Sequence, residues 1–211
     1  MDDPAMTDQP DRRAAILDAA AAVFFRDGYA RARIDDIIAI TGGSKRNIYQ
    51  GFSGKEGLFE ALISDRTALV VQAIEEARTD PGALEDRLVQ FGDQATQILF
   101  SQAMLGILRA IMSAGPDVAN DAAGRISTTL TLITTQMARI LAESEGTLPP
   151  DSRHGLLADQ LLSLLRGGLH IELLIGNRSA ISDDQRRVHV RAAVNTFLNG
   201  YSAGRPTHIG I

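Results

Sequence analysis

Cysteine and tryptophan are both missing from this chain of 211 residues. Without thiols there is no disulfide, no cysteine nucleophile and no thiolate metal site. The four histidines, His154, His170, His189 and His208, lack the close spacing of a metal-ligand pair. No apolar run reaches the roughly 18 residues that a membrane-spanning helix needs. The acidic, proline-bearing start MDDPAMTDQP is the wrong chemistry for a secretory signal. No strand-like alternation, internal repeat or phosphate-loop motif is visible, and neither is a nucleophile–base pair. These absences lead us to expect a soluble, cytoplasmic, non-enzymatic protein without cofactor or metal. Hydrophobic residues, at 45%, suffice for a core, and 22% charged residues is ordinary.

Lysine is almost absent too. Only Lys45 and Lys55 occur, against a net charge of −5. Arginine-rich coding explains the scarcity of lysine but not the position of the two that remain. The acidity argues mildly against a nucleic-acid partner, so its distribution matters. Residues 1–10 carry three acids and no base, whereas residues 11–62 carry eight Lys or Arg and seven acids. Both lysines fall in that second segment.

Residues 34–62, IDDIIAITGGSKRNIYQGFSGKEGLFEAL, organise the chain. Ile34, Ile37 and Ile38 recur at helical spacing and give a short helix over 33–41 one apolar face. Gly42 and Gly43 end it in a tight turn. Ser44 suits the N-cap of a second short helix over 45–51, with its hydroxyl near the Asn47 backbone N–H. Ile48 and Phe52, four apart, point inward together. Lys45, Arg46, Asn47, Tyr49 and Gln50 are left outward. A cationic, amide-bearing and phenolic face is suited to a DNA groove. Ser53 and Glu56 have the Ser-x-x-Glu spacing of a capping box for the next helix.

Gly28-Tyr29, Asp36-Ile37, Gly42, Ser44-Lys45, Ile48-Tyr49, Phe52, Lys55-Glu56 and Leu58-Phe59 together resemble the N-terminal signature of the TetR family of bacterial transcriptional regulators. The likeness covers about residues 12–62. Residues 161–176, LLSLLRGGLHIELLIG, are similar to the eighth helix of the AcrR/AefR-like branch. The resemblance implies an all-α homodimer of about nine helices, in which a helix-turn-helix head binds a palindromic double-stranded DNA operator. It also implies a C-terminal domain that takes a small-molecule effector, usually in a repressor. A rival reading is a helical small-molecule-binding or catalytic protein that has lost DNA binding.

The departures from the family are informative. Ala32 and Arg33 stand where a capping hydroxyl pair is usual, so Arg33 is either a phosphate donor or a solvated surface residue. Ile38 is large where the family is small, and Gly43 is small where it is branched, which suggests an exchange of volume. In SKRNIYQGF, Arg46, Asn47 and Gln50 replace the commoner residues at positions expected to read bases. Arg46 is matched to guanine and Gln50 or Asn47 to adenine. Asn47 is also suited to shaping the helix start. Lys45, Tyr49 and Lys55 are expected at phosphates, Lys55 because a bound phosphate offsets a cation at a helix N-terminus, and with Arg33, Ser44, Arg46, Asn47 and Gln50 they make up the expected DNA-binding set.

The expected division is a disordered tail (1–10), the DNA-binding head (11–57), a helical regulatory and dimerisation domain (58–204) and a frayed end (205–211). Further helices are expected over 11–27, 58–77, 83–100, 102–114, 117–143, 153–175 and 182–201, separated by Gly- and Pro-bearing breaks. Within the second domain, Phe100, Met104, Leu108, Met112, Met137, Leu165 and Leu169 are candidate effector-lining residues. The same apolar spacing also reads as plain core. Arg109 and His170 are polar groups in apolar stretches, suited to a ligand's polar end or to an ion pair within the fold. Gly167, Gly168, Ala193 and Phe197 are candidate dimer contacts.

Overall fold

The computed structural model describes residues 8–76, 81–146 and 150–203. Among them are nine helices and no strand: α1 (Asp8–Arg31), α2 (Ile34–Thr41), α3 (Lys45–Phe52), α4 (Lys55–Glu76), α5 (Leu84–Leu99), α6 (Gln102–Met112), α7 (Pro116–Ser144), α8 (Ser152–Ile175) and α9 (Asp183–Ala203). No single described helix is long and apolar enough to cross a membrane. Asp8–Pro10, expected in a tail, already belong to α1. Pro10 is tolerated there because first-turn N–H groups have no intrahelical partner. The rest of that tail (1–7) and the expected frayed end (205–211) lie outside the described residues.

The chain forms two compact units. One holds the described residues up to Val70 together with Gln102–Thr128, and the other holds Val71–Ser101 and the described residues from Thr129. A linear boundary at 57/58 therefore misses that α6 and the start of α7 pack with the N-terminal helices. The first unit is built on an apolar cluster. Ile16, Leu17, Ala20, Val23 and Phe24 of α1 meet Ile37, Ile48, Phe52, Leu58, Phe59 and Leu62. Phe24 meets Phe59 edge-on at 5.1 Å and Tyr29 lies 4.9 Å from Phe59, which fastens α1 to α4. The α1 helix, expected to end at residue 27, bends at Gly28, whose φ is +73°, but the chain stays helical to Arg31.

Helix α6 crosses α1 closely. A Cβ built on buried Gly106 would lie 2.5 Å from the Phe25 ring. Gly106→Ala forces that ring to move, and we expect it to cost about 1–2 kcal/mol in chemical denaturation. An unchanged midpoint would mean that Phe25 swings aside freely.

In the second unit α5, α8 and α9 pack on one another. Leu88, Phe91, Leu165, Val190 and Val194 are buried there. Two capping boxes set helix starts. Asp151 accepts from the His154 backbone N–H at 3.1 Å while His154 Nδ1 accepts from the Asp151 N–H. Ser182 and Gln185 do the same for α9 at 3.2 Å. The α8 helix, expected as uninterrupted, is broken at Gly167 (φ +45°, ψ −160°). His189 of α9 places Nε2 2.7 Å from the Leu165 carbonyl at that break, satisfying an acceptor that an intact ladder would have used.

Candidate nucleic-acid interface

The α2–turn–α3 segment displays the predicted side chains. Ile48 and Phe52 are 2% and 7% exposed, so α3 is held by one face. Lys45, Arg46, Asn47, Tyr49 and Gln50 lie on its exposed side. Ser44 Oγ accepts the Asn47 backbone N–H at 3.4 Å and lies 3.2 Å from Asn47 Oδ1. The Asn47 side chain is thus engaged with the helix start. Arg46 and Gln50 have no hydrogen-bond or ion-pair partner among the described residues, which leaves their polar atoms available.

Both lysines are engaged. Lys45 pairs with Asp35 of α2 at 2.9 Å, both more than half exposed. Such a pair is worth about 0–1 kcal/mol and gives way easily to a better anion. Lys55 Nζ donates to the Ala30 carbonyl at 3.3 Å and sits 4.6 Å over the Tyr29 ring. Burial lowers its pKa from the usual lysine value. Lys55 therefore faces the end of α1 in this structure rather than solvent, so a phosphate would compete with that carbonyl. The Tyr49 ring, 58% exposed, lies against the chain at Gly54, where an added Cβ would come within 3.1 Å of it.

Three local expectations change. Ser53 does not cap α4. It ends α3 in the left-handed region (φ +62°) and donates its N–H to the Tyr49 carbonyl. The absent hydroxyl cap of α2 is real: Arg33 occupies the N-cap position with no side-chain cap, and Ala32 is buried. The Ile38–Gly43 volume exchange fails. Gly43 is exposed at φ +97°, and a Cβ there would meet Arg12 Nη2 at 3.2 Å rather than an apolar wall. Backbone conformation, not cavity filling, sets glycine at 43. Arg12 itself was invisible to local pattern, since 31 positions separate it from Gly43.

The family model for bacterial regulatory proteins of the tetR family matches residues 16–62, and that for the C-terminal domain of AefR-like transcriptional repressors matches residues 86–203. The chain belongs to the TetR family. The HTH-type transcriptional repressor ComR of Escherichia coli K12 is 37% identical over 51 residues, which span 24% of this chain and 24% of ComR. A TetR-family regulator from Mesorhizobium loti shares the fold at a TM-score of 0.73 and 20% identity, covering 90% of this chain and 96% of its own. A TetR regulator from Agrobacterium tumefaciens aligns at 0.68 and 20% identity, over 90% of this chain and 93% of its own. The Flavonoid-responsive Regulator FrrA aligns at 0.63 and 21% identity, over 90% and 97%.

This TetR-family chain distributes its other candidate residues over both units. Met104, Leu108, Arg109 and Met112 lie in the first, where Met104 is buried and Met112 is 64% exposed, too open to line an enclosed cavity. Phe100, Met137, Leu165 and His170 are buried in the second, and Leu169 is half-buried. Phe100 stacks on His170 with ring centres 5.8 Å apart. Neither ring nitrogen of His170 has a hydrogen-bond partner among the described residues, nor does the buried Nε of Arg166. Burial, then the Arg166 charge, pushes the His170 pKa down to about 4. Gly167 and Gly168 are exposed on α8. Ala193 and Phe197 are instead buried, at 7% and 6%, inside the second unit itself. Their neighbours Ala192 and Thr196 are exposed on α9.

Proposed function

We propose that this chain is a DNA-binding transcriptional repressor, acting as a homodimer on a palindromic operator and released by a small-molecule effector. One observation carries the DNA reading. Helix α3 is anchored through Ile48 and Phe52 while Arg46 and Gln50 stand exposed and, among the described residues, without partners. Arg46 reads guanine and Gln50 reads adenine, each good bidentate contact being worth about 1–3 kcal/mol of discrimination. Asn47 shapes the start of α3, and Lys45, Tyr49 and Arg33 hold phosphates. Lys55 joins them on exchanging the Ala30 carbonyl for a phosphate.

A second copy fits the outer faces of α8 and α9. Leu164, Ile171 and Ile175 are 39%, 52% and 63% exposed on α8, where Gly167 and Gly168 are exposed too. Exposed apolar side chains of this kind favour an interface, and a two-fold dimer matches a palindrome with half-sites about 34–36 Å apart. Effector response is supported by the second unit, where the buried His170, stacked on Phe100, has ring nitrogens without hydrogen-bond partners among the described residues. The effector acts by binding the conformation with low DNA affinity more tightly.

The test is selection of random double-stranded DNA by the purified protein, with sequencing of the bound pool. A palindrome is expected. Arg46→Ala should then weaken its binding about 5- to 100-fold and relax preference at a guanine. Failure to enrich any sequence at low salt, from protein shown by mass spectrometry to carry no ligand, would favour a helical small-molecule binder without DNA function.

A further inference from the structure

Gly43 and Arg12 are linked in a way that bears on how the DNA-binding reading, on which this inference rests, is executed. Gly43 carries no side chain beside the helix-turn-helix turn, and the Arg12 guanidinium lies against the space that one would take. Its Nη2 lies 3.2 Å from where a Cβ on Gly43 would be, and Asn47 Nδ2 lies 3.5 Å from the same point. Arg12 is exposed and has no ion-pair or hydrogen-bond partner among the described residues. Its neighbour Arg13 is engaged over the Phe52 ring at 4.7 Å. The two lysines of this unit are held by Asp35 and by the Ala30 carbonyl. Near the turn that starts α3, Arg12 is thus a cation that no group among the described residues holds.

We propose that Arg12 is a DNA-backbone contact, admitted to the edge of the recognition helix by the glycine at 43. A guanidinium presents several donors in a planar fork and grips a phosphate without reading sequence. The contact therefore supplies affinity and register, and Arg46 and Gln50 supply specificity. It also explains why a residue of α1, outside the two-helix motif, matters to the motif's surface.

The salt dependence of binding tests this, measured on the enriched duplex and on a scrambled duplex of equal length. Losing one phosphate contact lowers the slope of log affinity against log salt by about 0.9. Arg12→Gln should show that drop and weaken both duplexes by the same factor, about three- to tenfold, with an unchanged thermal midpoint. Arg12→Lys should keep the slope. Gly43→Asn, whose side chain tolerates positive φ, should displace Arg12 and reproduce the loss. Combining it with Arg12→Gln should add nothing. An unchanged slope in Arg12→Gln, or additive losses in the double variant, would overturn the proposal while wild-type binding leaves the DNA reading intact. Wild-type protein that binds neither duplex at low salt would overturn both.

Discussion

Arg186→Met lowers the thermal midpoint by roughly 5–10 °C, the largest stability loss expected of any single change at a charged residue described above. Arg186 is only 6% exposed, although it projects from the first turn of α9. Its guanidinium grips Asp93 of α5 by two bonds, Nε to Oδ1 at 3.0 Å and Nη2 to Oδ2 at 3.2 Å, and also reaches Asp183 at 2.5 Å. Removing it strands the Asp93 carboxylate, 25% exposed, with Arg187, 4.0 Å away, as the one remaining cation partner among the described residues. Breaking one side of such a pair costs about 2–4 kcal/mol, mostly the desolvation of the charge left behind. The double change Asp93→Leu with Arg186→Met removes both charges and should recover most of the loss. Arg186→Lys should not, because an ammonium cannot make the bidentate grip. A midpoint within about 2 °C of wild type for Arg186→Met would show that Arg187 takes over the carboxylate.

The second large effect concerns pH. His170 has its pKa pushed down to about 4 by burial first and by Arg166 second. In the unfolded chain an imidazole titrates near 6.5. Between about pH 6.5 and 4 the unfolded state therefore binds the additional proton, and folding stability falls as pH falls. Below about pH 4 both states are protonated and this group contributes no further slope. The full loss is of the order of 3 kcal/mol. Carboxylates with lowered pKa values, such as Glu143 beside Arg87, lose their contribution lower on the pH scale. Comparing wild type with His170→Leu by denaturant titration at pH 7, 5.5 and 4.5 isolates the histidine. The wild type should lose stability faster across that range, and parallel curves would contradict a buried neutral imidazole.

These two effects sit where the sequence was least legible. The helix-turn-helix segment was legible because its determinants are local. Ile48 and Phe52 share a face through the helical period, and Ser44 caps the Asn47 N–H three residues away. The exposed set on α3 follows from the same geometry, since a short helix buried on one side must show its other residues. The Ser182 cap of α9, on the Gln185 N–H, is an equally local contact. Ser53 was misread because its spacing to Glu56 fits a capping box, whereas the tight α3–α4 turn needs it in the left-handed region.

The sequence by itself determined the all-helical class, the turn at Gly42-Gly43, the orientation of α3 and the family, because each rests on contacts within a few residues. The tertiary structure alone decided the partners of groups far apart in the chain. It set Arg12 beside Gly43, turned Lys55 onto the Ala30 carbonyl, and joined Arg186 to Asp93. It also broke α8 at Gly167, where His189 supplies the missing partner, and buried Ala193 and Phe197 within the second unit. Periodicity specifies which side of a helix is apolar, but not which element covers it. That choice belongs to packing between distant segments, which local spacing does not encode.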